Sequence, residues 1–173
     1  CSKNLGQISN CKTYIGELNS SGYCFGICRS NEGTIYNCES EIYGIGEALN
    51  AAGICGWNHT GTIIGCSFKG KLSANNNSYI AGIAMCNYTG KKNRKEACGL
   101  ISDCVNYGTM EIYLNGGKAW WVGAAGICCT NYGWIQRCVN KGTIIANNGD
   151  NSVSSGGIVS SNDVGTIVDC YNV

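Results

Sequence analysis

One phrase recurs six times along the chain, and it restricts the possible folds more than any other feature. It reads Gly-Ile-x-x-x-Asn, then one or two residues, then Gly-x-Ile-x-x-Cys, as in GICRSNEGTIYNC from Gly26 and GIVSSNDVGTIVDC from Gly157. The units start near residues 1, 26, 53, 82, 126 and 157, and the first lacks its leading Gly-Ile. A unit this short cannot bury a core by itself, so each must pack against the units before and after it.

Asn and Cys keep fixed places in every unit. The recurrent Asn residues are Asn4, Asn31, Asn58, Asn87, Asn131 and Asn162, and the recurrent Cys residues are Cys11, Cys38, Cys66, Cys104, Cys138 and Cys170. We predict an all-β, right-handed parallel β-helix (a β-solenoid) of about six coils, with one unit in each coil. Equivalent residues then stack about 4.8 Å apart, with Ile in the core, Asn bonded to the next Asn, and Gly at tight or positive-φ corners.

The whole chain, residues 1–173, is predicted to form a single solenoid domain. Insertions at 91–99 and 114–121 and the other length differences are expected to share one loop column, and the basic run KKNRK is typical of a solvated loop. Neither end of the chain completes a coil. We therefore expect the end coils to be covered by further repeats or by another copy, because open strand edges pair readily.

The composition excludes several classes of function. Charged residues make up 13% of the chain and the net charge is +1, which gives no electrostatic case for binding nucleic acid. Apolar runs are far shorter than the ~18 residues that a membrane span needs, so no transmembrane segment is predicted. The repeats interrupt every apolar stretch with Gly, Asn, Ser or Thr, which favours short strands and turns over helices.

The repeat resembles the GLUG motif, a short Gly-rich repeat found in tandem in large bacterial surface proteins of the adhesin type. The resemblance rests on the Gly-Ile, Asn, Gly-Thr-Ile and Cys-x-Asn positions and covers most of the chain. It implies a right-handed parallel β-helix used as a stalk, a spacer or a binding surface. Cys stands here where the family more often has Ser, and the two insertions are long.

The chain contains 14 cysteines, and most of them fall into two columns. Besides the recurrent Cys, a second column holds Cys1, Cys28, Cys55 and Cys128, with Ala84 and Val159 at equivalent places. Ala and Val at equivalent places indicate a small, apolar role, which a buried thiol can fill. Disulfides within a column are disfavoured, because parallel side chains seldom reach the torsion angle that a disulfide requires. Cys86 and Cys98 bracket the basic insertion and are the candidate disulfide. No CxxC pair occurs and the chain has one His, so no metal site or other cofactor is predicted.

Few residues are candidates for catalysis or recognition. The 11 acidic residues do not fall into one column, and the place shared by Asp103 and Asp169 is interpreted as a polar corner. Trp120 and Trp121 lie in a variable loop and are candidate ligand contacts, although they could equally cap the loop against the solenoid wall. Sequons in the variable loops make Asn19 and Asn76 the candidate glycosylation sites.

These observations favour a non-catalytic, extracellular or cell-surface β-solenoid that serves as a structural or adhesive segment, a stalk, spacer or fibre-forming unit. The expected partners are further copies or repeats placed end to end, and a glycan or a host protein. A carbohydrate-binding or carbohydrate-cleaving β-helix domain is the alternative. Acids and aromatic residues gathered in one groove would favour that alternative.

Overall fold

The computed structural model of the protein describes residues 1–19, 21–47, 49–75, 78–88, 98–114, 122–147 and 153–173. All strand pairs in these ranges are parallel. The same ranges contain no helix, and so none that is long and apolar enough to cross a membrane.

Short strands follow one another in the same order in each coil. They are β1 (Lys3–Asn4), β2 (Gln7–Ser9), β3 (Lys12–Asn19), β4 (Gly22–Phe25), β5 (Cys28–Asn31), β6 (Thr34–Tyr36), β7 (Glu39–Glu47), β8 (Leu49–Ala52), β9 (Cys55–Asn58), β10 (Thr62–Ile64), β11 (Ser67–Asn75), β12 (Tyr79–Ala81), β13 (Ala84–Asn87), β14 (Leu100–Ser102), β15 (Val105–Asn106), β16 (Thr109–Tyr113), β17 (Gly123–Ala125), β18 (Cys128–Asn131), β19 (Trp134–Gln136), β20 (Val139–Asn140), β21 (Ile144–Asn147), β22 (Ser154–Gly156), β23 (Val159–Asn162), β24 (Thr166–Val168) and β25 (Tyr171–Asn172).

Equivalent strands of successive coils pair into four sheets that run along the solenoid. The first sheet contains β1, β5, β9, β13, β18 and β23, and the second contains β2, β6, β10, β14, β19 and β24. The third contains β3, β7, β11, β15, β16, β20, β21 and β25, and the fourth contains β4, β8, β12, β17 and β22. The chain therefore makes about five full turns, and the predicted β-solenoid is confirmed.

The core is built from columns of identical side chains, as the repeat predicts. The Ile of each Gly-x-Ile step lies in the second sheet, in register with the next: Ile8, Ile35, Ile63, Ile101, Ile135 and Ile167. The four middle members of this column are 0% exposed. Burial of one Ile contributes about 1.5–3 kcal/mol, so the apolar columns supply most of the driving force for stacking.

The Gly of each Gly-Ile pair is required by close packing rather than by its backbone angle. A Cβ atom at Gly82 would overlap the carbonyl oxygen of Gly126 in the next coil and the amide of Asn106 across the interior. Gly26, Gly53 and Gly126 are crowded in the same way. The glycines with positive φ are Gly22, Gly65 and Gly70, and none of them belongs to a Gly-Ile pair. The positive-φ part of the prediction is therefore wrong for these positions.

Length differences between coils fall at two corners, so the prediction of one loop column is wrong. The connection from β13 to β14 runs from Tyr88 to Gly99, between the first and second sheets. The connection from β16 to β17 runs from Leu114 to Val122, between the third and fourth sheets. Strand register continues on both sides of each connection, because an insertion at a corner leaves the paired strands undisturbed.

One corner is made by a column of left-handed residues. Each lies directly before a recurrent Cys, between the second and third sheets: Asn10, Asn37, Asp103, Arg137 and Asp169, with φ from 50° to 55°, and Gly65 at 63°. Gly, Asn and Asp adopt this conformation most readily. The place shared by Asp103 and Asp169 is thus a turn-forming corner, as interpreted from the sequence.

This corner gives a first testable prediction. Gly65→Val should lower the free energy of unfolding by about 1–2 kcal/mol, because a β-branched residue disfavours the left-handed region. Gly65→Asn should change it by less than about 0.5 kcal/mol, since Asn10 and Asn37 already occupy that conformation in the two preceding coils. Urea unfolding of the two variants checks this. Equal stability of the Val and Asn variants would contradict the assignment.

Candidate functional site

The recurrent Asn residues form one continuous hydrogen-bonded ladder inside the solenoid, as predicted. Each side-chain Nδ2 donates to Oδ1 of the Asn one coil further on, across five successive steps of 2.8–2.9 Å. The same amides also donate to backbone carbonyls at the corner, for example from Asn58 to Gly61 at 3.0 Å and from Asn87 to Gly99 at 3.1 Å. Four of the six are 0% exposed, so these hydrogen bonds satisfy amides that water does not reach.

A second, shorter Asn ladder crosses the third sheet. Asn106 donates to Asn140 at 2.6 Å, and Asn140 donates to Asn172 at 2.7 Å. Phe68 and Ser40 take this place in earlier coils. The Cys-x-Asn step of the repeat is the sequence signal for this ladder.

The recurrent cysteines also stack in one column. Cys38, Cys66, Cys104 and Cys138 are buried, whereas Cys11 is exposed and Cys170 is half-buried. Each thiol lies 3.2–3.4 Å from the carbonyl oxygen two residues before it, to which it donates a weak hydrogen bond. The column thus fills the corner between the second and third sheets with small side chains.

The second cysteine column has the predicted register. Cys28, Cys55, Ala84, Cys128 and Val159 pair one with the next in the first sheet. Cys1 lies at the start of this column, with its sulfur 3.3 Å from that of Cys28. Burial raises the pKa of the Cys55 and Cys128 thiols well above the ordinary range. The described residues contain no group of three or more His, Cys, Asp or Glu that could hold a metal ion.

The thiols give a second testable prediction. Cys55, Cys104 and Cys128 should resist alkylation in the native protein, because burial hides them and keeps them protonated. Cys11, which is exposed, should react first. Timed labelling followed by peptide mass mapping measures the order, with the urea-unfolded chain as the control in which all four react. Labelling of Cys104 as early as Cys11 would contradict the buried column.

The other predicted site residues have different outcomes. Asn19, a candidate glycosylation site, is exposed at the end of β3. Asn76, Trp120 and Trp121 lie outside the described residues. Cys86 is half-buried and bears a thiol in the structure, and its bridge to Cys98 stays a prediction that mass mapping would test.

Four acidic side chains on the walls form ion pairs. Glu39 lies 3.0 Å from Lys69 and 3.5 Å from Lys12, and its pKa is lowered by the hydrogen bond from Lys69. Asp103 lies 2.7 Å from Arg137, whose hydrogen bond lowers the pKa of that carboxyl.

Two further acidic side chains are paired in the same manner. Glu111 lies 2.8 Å from Lys71, and Glu32 lies 2.9 Å from Lys3. A general acid of a glycoside hydrolase needs a raised pKa, which is the opposite of the shift at Glu39 and Asp103.

The outer side of the first and fourth sheets carries most of the paired aromatic rings, and we call it the aromatic wall. At one end, the rings of Tyr23, Phe25 and Trp57 contact one another with centroids 5.4–6.0 Å apart. The guanidinium of Arg29 lies over two of these rings, 5.2 Å from the centroid of Tyr23 and 5.3 Å from that of Trp57. This cluster joins residues from three successive repeat units.

A column of stacked rings continues the aromatic wall toward the last coil. His59 and Tyr88 stack with centroids 5.4 Å apart, and Tyr88 and Tyr132 stack at 5.6 Å, with interplanar angles of 12° and 7°. A hydrogen bond to Asp163 raises the pKa of the Tyr132 hydroxyl. The spacing follows the distance between coils, because each ring occupies the same place after the ladder Asn.

Two shallow grooves run along this wall. One, of about 500 Å³, is lined by Arg29, Ser30, Trp57, His59 and Tyr88. The other, of about 480 Å³, is lined by Tyr79, Cys86, Tyr88, Val122, Thr130, Tyr132, Ser154, Ser160, Ser161 and Asp163. Tyr88 borders both, so the grooves meet there. The one signal for this wall in the sequence is the aromatic residue directly after Asn58, Asn87 and Asn131, because the residues of the first cluster come from different places in the repeat.

No family model, no curated protein and no solved structure matches this chain.

Proposed function

We propose that the chain is a non-catalytic structural or adhesive segment of an extracellular or cell-surface protein, of the kind that carries GLUG repeats. The continuous Asn ladder is the observation that carries this proposal. The same bond recurs from each coil to the next, so this column gives the interior a uniform framework along its length. Such a framework suits a stalk or spacer, whose action depends on its length and surface.

Immunogold labelling of intact source cells with an antibody raised against the chain tests the location. We expect label on the outer surface before permeabilisation. Label that is found only after permeabilisation would overturn the extracellular part of the proposal. Incubation of the purified chain with a panel of neutral and acidic polysaccharides tests the non-catalytic part, and release of new reducing ends or unsaturated sugars would overturn it.

We also propose that coils of the same kind pair with the first and last coils, from a longer chain or from another copy. Within the described residues, β1 pairs with β5 alone and β23 pairs with β18 alone. The outer edges of β1 and β23 therefore carry backbone groups with no strand partner there, and such edges favour further pairing. Sedimentation velocity over a hundredfold concentration range should show mass increasing with concentration. A constant monomer mass would contradict pairing between copies.

The alternative, a carbohydrate-binding domain, has one specific observation in its favour. The aromatic wall combines ring faces, hydroxyl groups and a cation in two connected grooves. Aromatic rings that offer an apolar face and a polar edge are common at binding surfaces. An adhesive segment could carry such a surface, so carbohydrate binding and a structural role are compatible.

A further inference from the structure

The cluster at the start of the aromatic wall is a packed assembly rather than a chance meeting of exposed rings. Gly56 makes room for it, because a Cβ atom at that position would lie 2.7 Å from the ring of Phe25. The Phe25 ring packs edge-on against Trp57 at 5.5 Å, and both pack against a small apolar cluster on the same wall. Trp57 is thus fixed from one side and half-buried, with the rest of its ring at the groove. A fixed ring loses little entropy when a ligand packs on it.

Two cations of the described surface, Arg29 and Lys141, lie over aromatic rings and not beside a carboxylate, and Arg29 lines a groove of the aromatic wall. Lys3, Lys12, Lys69, Lys71 and Arg137 each form an ion pair with a carboxylate. Arg29 is exposed and has no carboxylate within 4 Å among the described residues. Its guanidinium is held over Tyr23 and Trp57, a position that leaves the N–H groups at its edge able to bind an anion.

Among the described lining residues, Arg29 is followed by polar groups and not by a further Lys or Arg. Ser30, His59 and Tyr88 follow Arg29, and beyond Tyr88 come Ser160, Ser161 and Asp163. Along this described lining, a polyanion such as a nucleic acid or a multiply phosphorylated peptide would meet Arg29 at one end and a carboxylate at the other. A ligand with one carboxylate followed by neutral, hydroxyl-rich units fits this distribution of charge.

We propose that the aromatic wall binds a glycan that ends in a carboxylate-bearing sugar. Arg29 binds the carboxylate through paired N–H donors, Trp57 packs against the apolar face of the sugar ring, and the neutral sugars extend past Tyr88 into the second groove. This inference rests on the adhesive part of the proposed function and names its ligand class.

Calorimetric titration of the full chain with 3′-sialyllactose, with a trisaccharide that ends in glucuronic acid, and with lactose tests the proposal. We expect at least one acidic probe to bind with a Kd of about 1 mM or lower, and lactose to bind about tenfold more weakly or not at all. Arg29→Gln should weaken binding of the acidic probe by about tenfold to a hundredfold and leave the affinity for lactose unchanged.

A second variant keeps the test decisive. Trp57→Phe retains an aromatic ring in the cluster. It should weaken binding of the acidic probe severalfold and leave the circular dichroism spectrum unchanged. The matched controls are Trp134→Ala on the second sheet, where Trp134 is 48% exposed, and Arg137→Gln at the adjoining corner, where Arg137 is paired with Asp103. Neither control should alter binding.

Several results would overturn the inference. The first is that the chain binds neither acidic probe, and the second is that it binds lactose as tightly as the acidic probes. The third is that the folded Arg29→Gln variant binds the acidic probe as tightly as the parent chain, and the fourth is that the chain binds a phosphopeptide and neither acidic sugar. Cell-surface labelling is measured independently of these titrations. A surface protein that binds none of the probes would therefore refute the ligand and leave the proposed structural role standing.

Discussion

Gly82→Ala is expected to lower the free energy of unfolding by about 3 kcal/mol or more, which is a large part of the stability of a domain of this size. The added methyl group would overlap the Gly126 carbonyl of the next coil and the Asn106 amide. Relief of the overlap requires either that two coils separate or that Asn106 moves away from Asn140, to which it donates at 2.6 Å. Both movements expose or break buried hydrogen bonds, each at a cost of about 1–3 kcal/mol.

Thermal and urea unfolding of Gly82→Ala and of Gly6→Ala measure this effect. Gly6→Ala is the control, because a Cβ atom there meets nothing within 4 Å. We expect the control to lie within about 0.5 kcal/mol of the parent chain. If the Gly82 variant were as stable as the Gly6 variant, the close stacking of glycines between coils would be wrong.

Asn87→Leu is expected to cost about 3 kcal/mol, with the number and branching of the side-chain heavy atoms unchanged. Asn87 donates to Asn131, Gly99 and Trp134, and it accepts from Asn58, so one substitution removes four hydrogen bonds from the interior. Asn58 still reaches Gly61, and Asn131 still accepts from the backbone N–H of Gly133. The expected cost is therefore that of several partly compensated bonds rather than of fully isolated amides.

Asn162→Leu is the matched control at the exposed end of the ladder. Its Oδ1 accepts from Asn131, and its Nδ2 donates to Gly165, both where water can replace the lost partner. We expect a loss of about 1 kcal/mol. The difference in unfolding free energy between the two variants follows from their denaturant midpoints, provided that the free energy depends on denaturant concentration with the same slope. Equal losses would mean that burial does not govern the strength of the ladder.

The repeat predicted the features that arise from a single position recurring once in each coil. The Asn column, the inward Ile and the burial of Cys38, Cys66 and Cys138 all follow from a fixed offset within the unit, since stacking brings equal offsets together. The reason for the glycines was harder to predict. Positive φ is a property of one residue, whereas the close approach at Gly82 involves the next coil and the opposite sheet.

The cluster at the start of the aromatic wall could not be predicted, because its residues hold different offsets, whereas the stacked rings of His59, Tyr88 and Tyr132 share one offset. In the cluster, Tyr23 and Phe25 end the first unit, Arg29 follows the Gly-Ile step of the second, and Trp57 belongs to the third. Their meeting depends on how the fourth sheet turns into the first, which the spacing of the repeat leaves open. The two corners that take insertions were unpredictable for the same reason, since unit lengths alone do not reveal where a strand ends.

The Asn ladder has a direction. From Asn4 to Asn162 every Nδ2 faces the next coil and every Oδ1 faces the previous one, and Asn106, Asn140 and Asn172 repeat this orientation. The aligned amides add their dipoles along the axis, so one face of a coil presents oxygen atoms and the other presents N–H groups. A coil that approached upside down would bring oxygen against oxygen. For the further coils proposed above, this polarity favours addition head to tail over addition in the inverted orientation.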